Sequence, residues 1–167
     1  METENSERFS VYGFSTDYPR SCWIEFNPKS RRDAGDVVFH FPEKERVFLS
    51  WGELERAEKR FQSIEGHAEH GVSMLRKNRA ARDFERVRND SLTLNSHSAV
   101  YNRIRVKELL AGFLSGRKTV EREAYSIHLH CRESSRYFVL YSLLSRSATD
   151  ETYEKSILAM AHSFKCH

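Results

Sequence analysis

The chain is short of cysteine, of long apolar runs and of any excess of one charge, and each shortage closes off a class of protein. Cys22, Cys131 and Cys166 are the only cysteines in 167 residues, an odd number without CxxC spacing, which excludes a dense disulfide framework. No apolar stretch approaches the ~20 residues that a membrane-spanning helix needs. The opening Met1-Glu2-Thr3-Glu4-Asn5-Ser6-Glu7 is acidic and polar, opposite in character to the basic, then apolar, start of a secretory signal. These features predict a cytoplasmic protein with reduced thiols and no membrane contact. Net charge is only +3 with the histidines neutral, too even a balance for the whole domain to be drawn to nucleic acid.

Catalytic signatures are missing as well. There is no GxSxG elbow, no P-loop and no GxGxxG. His67-Ala68-Glu69-His70 has the wrong gap and order for the HExxH zinc motif, and a solvated helix face is the reading preferred for it. His128 and His130 alternate along a strand, on the face opposite Tyr125, Ile127, Leu129 and Cys131. They amount to half a zinc site that Cys131 cannot complete, and a polar or half-covered sheet face is the plainer explanation. Cys22 falls in an apolar strand, where it behaves as a small hydrophobe, and Ser134-Ser135 occupies a turn with no identifiable base. The expectation is a non-enzymatic protein with no cofactor and no metal site.

What is present describes a globular α+β chain, 39% apolar and 31% charged, read as one domain over 1–167 with residues 1–7 a flexible tail. Alternation predicts strands at Arg8–Phe14, Cys22–Phe26, Val37–Phe41 and Arg46–Trp51, with a turn at Asp17–Arg20. The period then changes. Leu54, Ala57, Phe61, Ile64, Ala68, Val72 and Leu75 trace one stripe of a long helix from about Gly52 to Arg76, with Gly66 and Gly71 its weak points. Strands return at Phe84–Arg88, Leu92–Leu94, Ala99–Val106, Val120–Cys131 and Tyr137–Leu144, the last the most hydrophobic and hence central. A second helix runs from about Asp150 to Phe164, capped by Thr149-Asp150. Short links between neighbouring strands imply a largely antiparallel sheet flanked by the long central helix and the C-terminal helix.

Two surfaces stand out. Arg76, Lys77, Arg79, Arg82, Arg86 and Arg88 crowd the helix end and the next strand, and Arg103, Arg105 and Lys107 share a face of the strand after it. If those strands pair, the cations form one patch beside Tyr101 suited to phosphate or RNA. Interleaved Asp83, Glu85, Asp90, Glu121 and Glu123 explain the same residues as cross-strand pairs, and this simpler reading is preferred. The connection from Lys107 to Thr119 carries Leu109, Leu110, Phe113 and Leu114 where polar residues are usual. It either folds back over the core or exposes a patch for another chain, and in the second case those four residues are the anchors.

The strand ahead of Tyr18-Pro19 and Trp23-Ile24, the Val37-to-Trp51 strands with a long helix after them, and the ending Arg136–Tyr141 followed by Met160-Ala161-His162-Ser163-Phe164 together resemble PsbP-like and Mog-type proteins. The resemblance covers nearly the whole chain through short motifs. It implies an α/β/α sandwich around an antiparallel sheet, in a superfamily whose members are mostly non-enzymatic: extrinsic photosystem subunits, assembly factors or binders of a small GTPase. The Gly-rich and acidic signatures needed to transfer one of those roles are absent, so the resemblance carries fold rather than function. The functional expectation is a protein-interaction or assembly module whose partner is another protein or a second copy of itself. The alternative is RNA or phosphate binding through the arginines.

Overall fold

A computed structural model describes residues 5–78, 81–112, 116–145 and 151–167. The chain opens with a hairpin, β1 (Ser6–Val11) and β2 (Phe14–Pro19), reversed at Tyr12-Gly13, where φ is 51° and 80°. Positive φ at both central residues gives a tight turn whose twist matches its strands. Arg8–Phe14 is therefore not one strand, and Asp17–Pro19 belongs to β2 rather than to a turn. Apolar–polar alternation runs through a two-residue reversal unbroken, which hides it from a periodicity argument. Ser6 and Glu7, expected in a loose tail, pair with Pro19 and Tyr18.

Among the described residues, seven strands form one antiparallel sheet in the order β3 (Trp23–Phe26), β4 (Gly35–His40), β5 (Arg46–Glu53), β9 (Arg136–Ser145), β8 (Gly116–Cys131), β7 (His97–Gly112), β6 (Ala81–Leu94). The hydrophobic strand β9 takes the middle position, as its composition predicted. Strand β6 unites the segments read as Phe84–Arg88 and Leu92–Leu94. Register shifts at Ala81/Asp83 and Arg86/Arg88 mark bulges that disturb its alternation.

One face of the sheet carries β1–β2 and α3 (Glu151–Ser163). Phe14, Phe39, Leu49, Trp51, Tyr125, Ile127, Phe138, Ile157 and Phe164 make the main core there. Each such side chain contributes about 1.5–3 kcal/mol by leaving water. The other face carries α1 (Leu54–Phe61) and α2 (Ile64–Arg76), with Val72 packed on Ile104, Val106 and Ala124. The single long helix expected over this stretch is two. Gln62 turns to φ 68°, and Ser63 becomes an extended N-cap whose side chain accepts from the Gly66 N–H at 3.0 Å. The apolar stripe continues across the break, which is why the pattern reads as one helix. Among the described residues, no helix is long and apolar enough to cross a membrane.

The cap expected at Thr149-Asp150 lies outside the described residues, as do Phe113, Leu114 and Arg79.

Candidate functional site

Strands β7 and β8 are each 16 residues long and outrun their neighbours. Among the described residues, the last pair of β6 with β7 at this end is Ala81↔Glu108, and the last of β8 with β9 is Arg122↔Ser145. Beyond those points Leu109↔Thr119, Leu110↔Lys118, Ala111↔Arg117 and Gly112↔Gly116 pair only with each other among the described residues. The predicted connection from Lys107 to Thr119 is thus mostly strand, an arm continuing the sheet rather than a loop folded over it. Leu109 is half-buried and Leu110 is 37% exposed, on opposite faces of the arm. A two-stranded ribbon is marginal in water by itself and leaves backbone donors and acceptors open along both edges.

At the arm's base the predicted cations meet carboxylates. Arg103 bonds Glu123 and Glu154, and Arg105 bonds Glu123 and Glu85. Lys107 stands 3.7 Å from both Asp83 and Glu121. Arg88 binds Asp90 and Glu154 and lies over the Tyr101 ring, whose hydroxyl donates to Glu154 at 2.6 Å. The expected single patch does not form. The bulge at Val87 puts Arg86 on the opposite face, against Glu69, and Arg82 sits in the other bulge with a bond to the Ala81 carbonyl. A bulge reverses which side a residue faces, so counting residues along β6 misassigns them.

His128 and His130 do face away from Tyr125 and Ile127, but the His67 side chain joins them from α2 instead of meeting solvent. Nδ1 of His67 lies 3.2 Å from Nε2 of His130, and its ring stacks on Phe61 at 4.4 Å between centroids. Burial, then the neighbouring imidazoles, push the pKa of His67 down to about 4 and that of His128 to about 3. His130 is lowered by burial against an opposing pull from Glu58 and Glu65. His67 follows Ile64 by three residues and precedes Ala68 by one, which puts it on the flank of the apolar stripe, so the helix face expected to be solvated at His67 is the covered one.

The sulfurs also depart from expectation. Cys131 and Cys166 form a disulfide across 35 residues of sequence, where reduced thiols were expected, and His97 and His167 flank it. Nothing in the spacing of the cysteines announces that pairing. Cys22 is free and buried, and burial raises its thiol to about 11. Among the described residues, the buried Ser134 Oγ has no hydrogen-bond partner.

No protein-family model matches the chain, nor does the sequence of any curated protein. Among solved structures, cyanobacterial PsbP (CyanoP) from Synechocystis superposes with a TM-score of 0.55 at 14% identity, over 98% of this chain and 93% of that one. The fold is PsbP-like. A likeness at this identity speaks for architecture alone, and the PsbP-like fold accounts for the antiparallel sheet with helices on both faces. PA94, a protein of unknown function from Pseudomonas aeruginosa, aligns over 93% of this chain and 94% of its own at 10% identity, with a TM-score of 0.49.

Proposed function

We propose that the protein is a non-enzymatic interaction or assembly module that engages a protein partner through the β7–β8 arm, and that it belongs to the PsbP/Mog-type superfamily. One observation carries the reading: four consecutive register pairs, from Leu109↔Thr119 to Gly112↔Gly116, extend past the described residues of both flanking strands, with Leu110 on the surface. Such a ribbon gains most by accepting a strand on an edge or an apolar surface on a face. The partner is another protein or a second copy of this chain, and the setting is cytoplasmic. Phosphate or RNA binding has less behind it, because Arg86, Arg88, Arg103, Arg105 and Lys107 each already meet a carboxylate.

Light scattering on wild type and Leu110→Asp, with circular dichroism on both, tests the arm. A folded variant that falls from dimer to monomer supports it. A variant that unfolds assigns Leu110 to the core and removes the arm as a docking surface. RNA binding that weakens steeply with salt would favour the arginines instead.

A further inference from the structure

His97 opens β7, Cys131 closes β8, and Cys166 and His167 follow α3, yet their four donor atoms all lie within 4.8 Å of one another. Nε2 of His97 stands 3.2 Å from the Cys166 sulfur. Nδ1 of His167 stands 3.3 Å from the same sulfur and 3.7 Å from that of Cys131. Around a tetrahedral zinc ion, bonds of ~2.3 Å to sulfur and ~2.0 Å to imidazole set sulfur and nitrogen ligands about 3.5 Å apart. The observed separations bracket that value.

The donors are also held in place. Ser15 and Lys165 exchange two backbone hydrogen bonds of 2.8 Å that pin the tail to β2, and Phe164 anchors it in the core. Cys131 and Cys166 are fully buried. Nδ1 of His97 faces Oε2 of Glu133 at 3.6 Å. The carboxylate stands on the side of the ring away from Nε2 and also lies 3.7 Å from the Cys131 sulfur, so it is placed to orient the ring by closing to hydrogen-bond distance when the sulfurs and Nε2 take a metal.

We propose that Cys131, Cys166, His97 and His167 form a closed Cys2His2 zinc site when the Cys131–Cys166 bond is reduced, and that oxidation of the pair releases the ion. A dithiol reductant delivers two electrons and two protons to the disulfide and leaves as its own disulfide, giving two thiols. Zn2+ then displaces both thiol protons and takes two thiolates and two neutral imidazoles, a soft donor set that favours zinc over hard cations. In the reverse direction a disulfide oxidant takes two electrons from the zinc-bound thiolates, leaves as two thiols with two protons from solvent, and frees Zn2+. Sulfurs bonded to each other carry no thiolate charge, so the two states exclude one another. In either state a cross-link ties the segment after α3 to the end of the sheet; only the reduced one recruits His97 and His167.

Full-length protein reduced with a phosphine and dialysed against Zn2+ should retain stoichiometric zinc by elemental analysis, and the oxidised protein none. Co2+ in its place should give the d–d bands and thiolate charge-transfer absorption of a tetrahedral site. His97→Ala and His167→Ala should each weaken zinc binding, and Glu133→Gln should cost about tenfold in affinity through the orientation of His97. Cys22→Ser should bind as wild type. His167 is exposed, so its variant stays readable if a cysteine variant fails to fold. Reduced protein that takes up no zinc, a cobalt spectrum without thiolate charge transfer, or undiminished binding in the double histidine variant would overturn the proposal.

Discussion

Glu123 carries its charge where only 1% of the residue reaches solvent. Burial alone would raise its pKa, but hydrogen bonds from Tyr125, Arg103 and Arg105 outweigh that and hold it below the ordinary carboxylate value. A depressed carboxyl stabilises the fold above its unfolded pKa and loses that contribution as pH falls below about 4.5. Glu123→Gln should therefore lower stability at neutral pH by roughly 2–3 kcal/mol, below the usual cost of breaking a buried pair because Arg103 keeps Glu154 and Arg105 keeps Glu85. A urea midpoint that falls with an unchanged slope would register it, and the deficit should shrink in acid. The pairing of Arg105 with Glu123 and Lys107 with Glu121 was legible from alternation along two strands joined as a hairpin. The burial of Glu123 was not, since it depends on Tyr125 and on Glu154 arriving from α3.

At the scale of elements, the break between α1 and α2 reverses the sign of a common substitution. In an unbroken helix Gly66→Ala would stabilise by up to ~1 kcal/mol. Here a Cβ at Gly66 would collide with the Phe61 carbonyl oxygen, which backs onto it where the first helix ends. The variant should instead destabilise by roughly 1–3 kcal/mol, as crowding of packed atoms does. Ser63→Ala should cost about 1 kcal/mol by removing the cap on the Gly66 N–H. Thermal melts of the two variants separate the alternatives, because an unbroken helix predicts a higher midpoint for Gly66→Ala. Spacing by threes and fours could not show the break, because the stripe tolerates one residue in a left-handed conformation at Gln62 without losing its face.

Across the whole molecule, α2 is seated on the sheet with its own His67 against His128 and His130 of β8. Their folded pKa values lie below the unfolded value of 6.5, so the unfolded chain binds protons first as pH falls. Stability should be full above pH 6.5 and decline through about 4, the value for His67, toward about 3, the value for His128. Near the middle of that window His67 and His128 each contribute a slope of up to about 1.4 kcal/mol per pH unit. Unfolding free energies measured across the window should flatten by about that amount in His128→Asn. A slope identical to wild type would mean that the cluster charges without cost.

The sequence by itself determined the local periods: which stretches alternate, which turn by threes and fours, and which strand is greasy enough to sit fourth among seven. Those follow from nearest neighbours along one chain, and so did the antiparallel sheet with helices on it. Tertiary structure decided everything that depends on two distant segments meeting. It placed His67 over His128, continued the β7–β8 pairing beyond the described residues of the flanking strands, sent Arg86 and Arg88 to opposite faces, and gathered His97, Cys131, Cys166 and His167 at the end of the sheet. Period constrains the direction of a side chain relative to its own backbone. Which other backbone lies in that direction is set by register, bulges and breaks, each of which turns on one or two residues that leave the surrounding pattern intact.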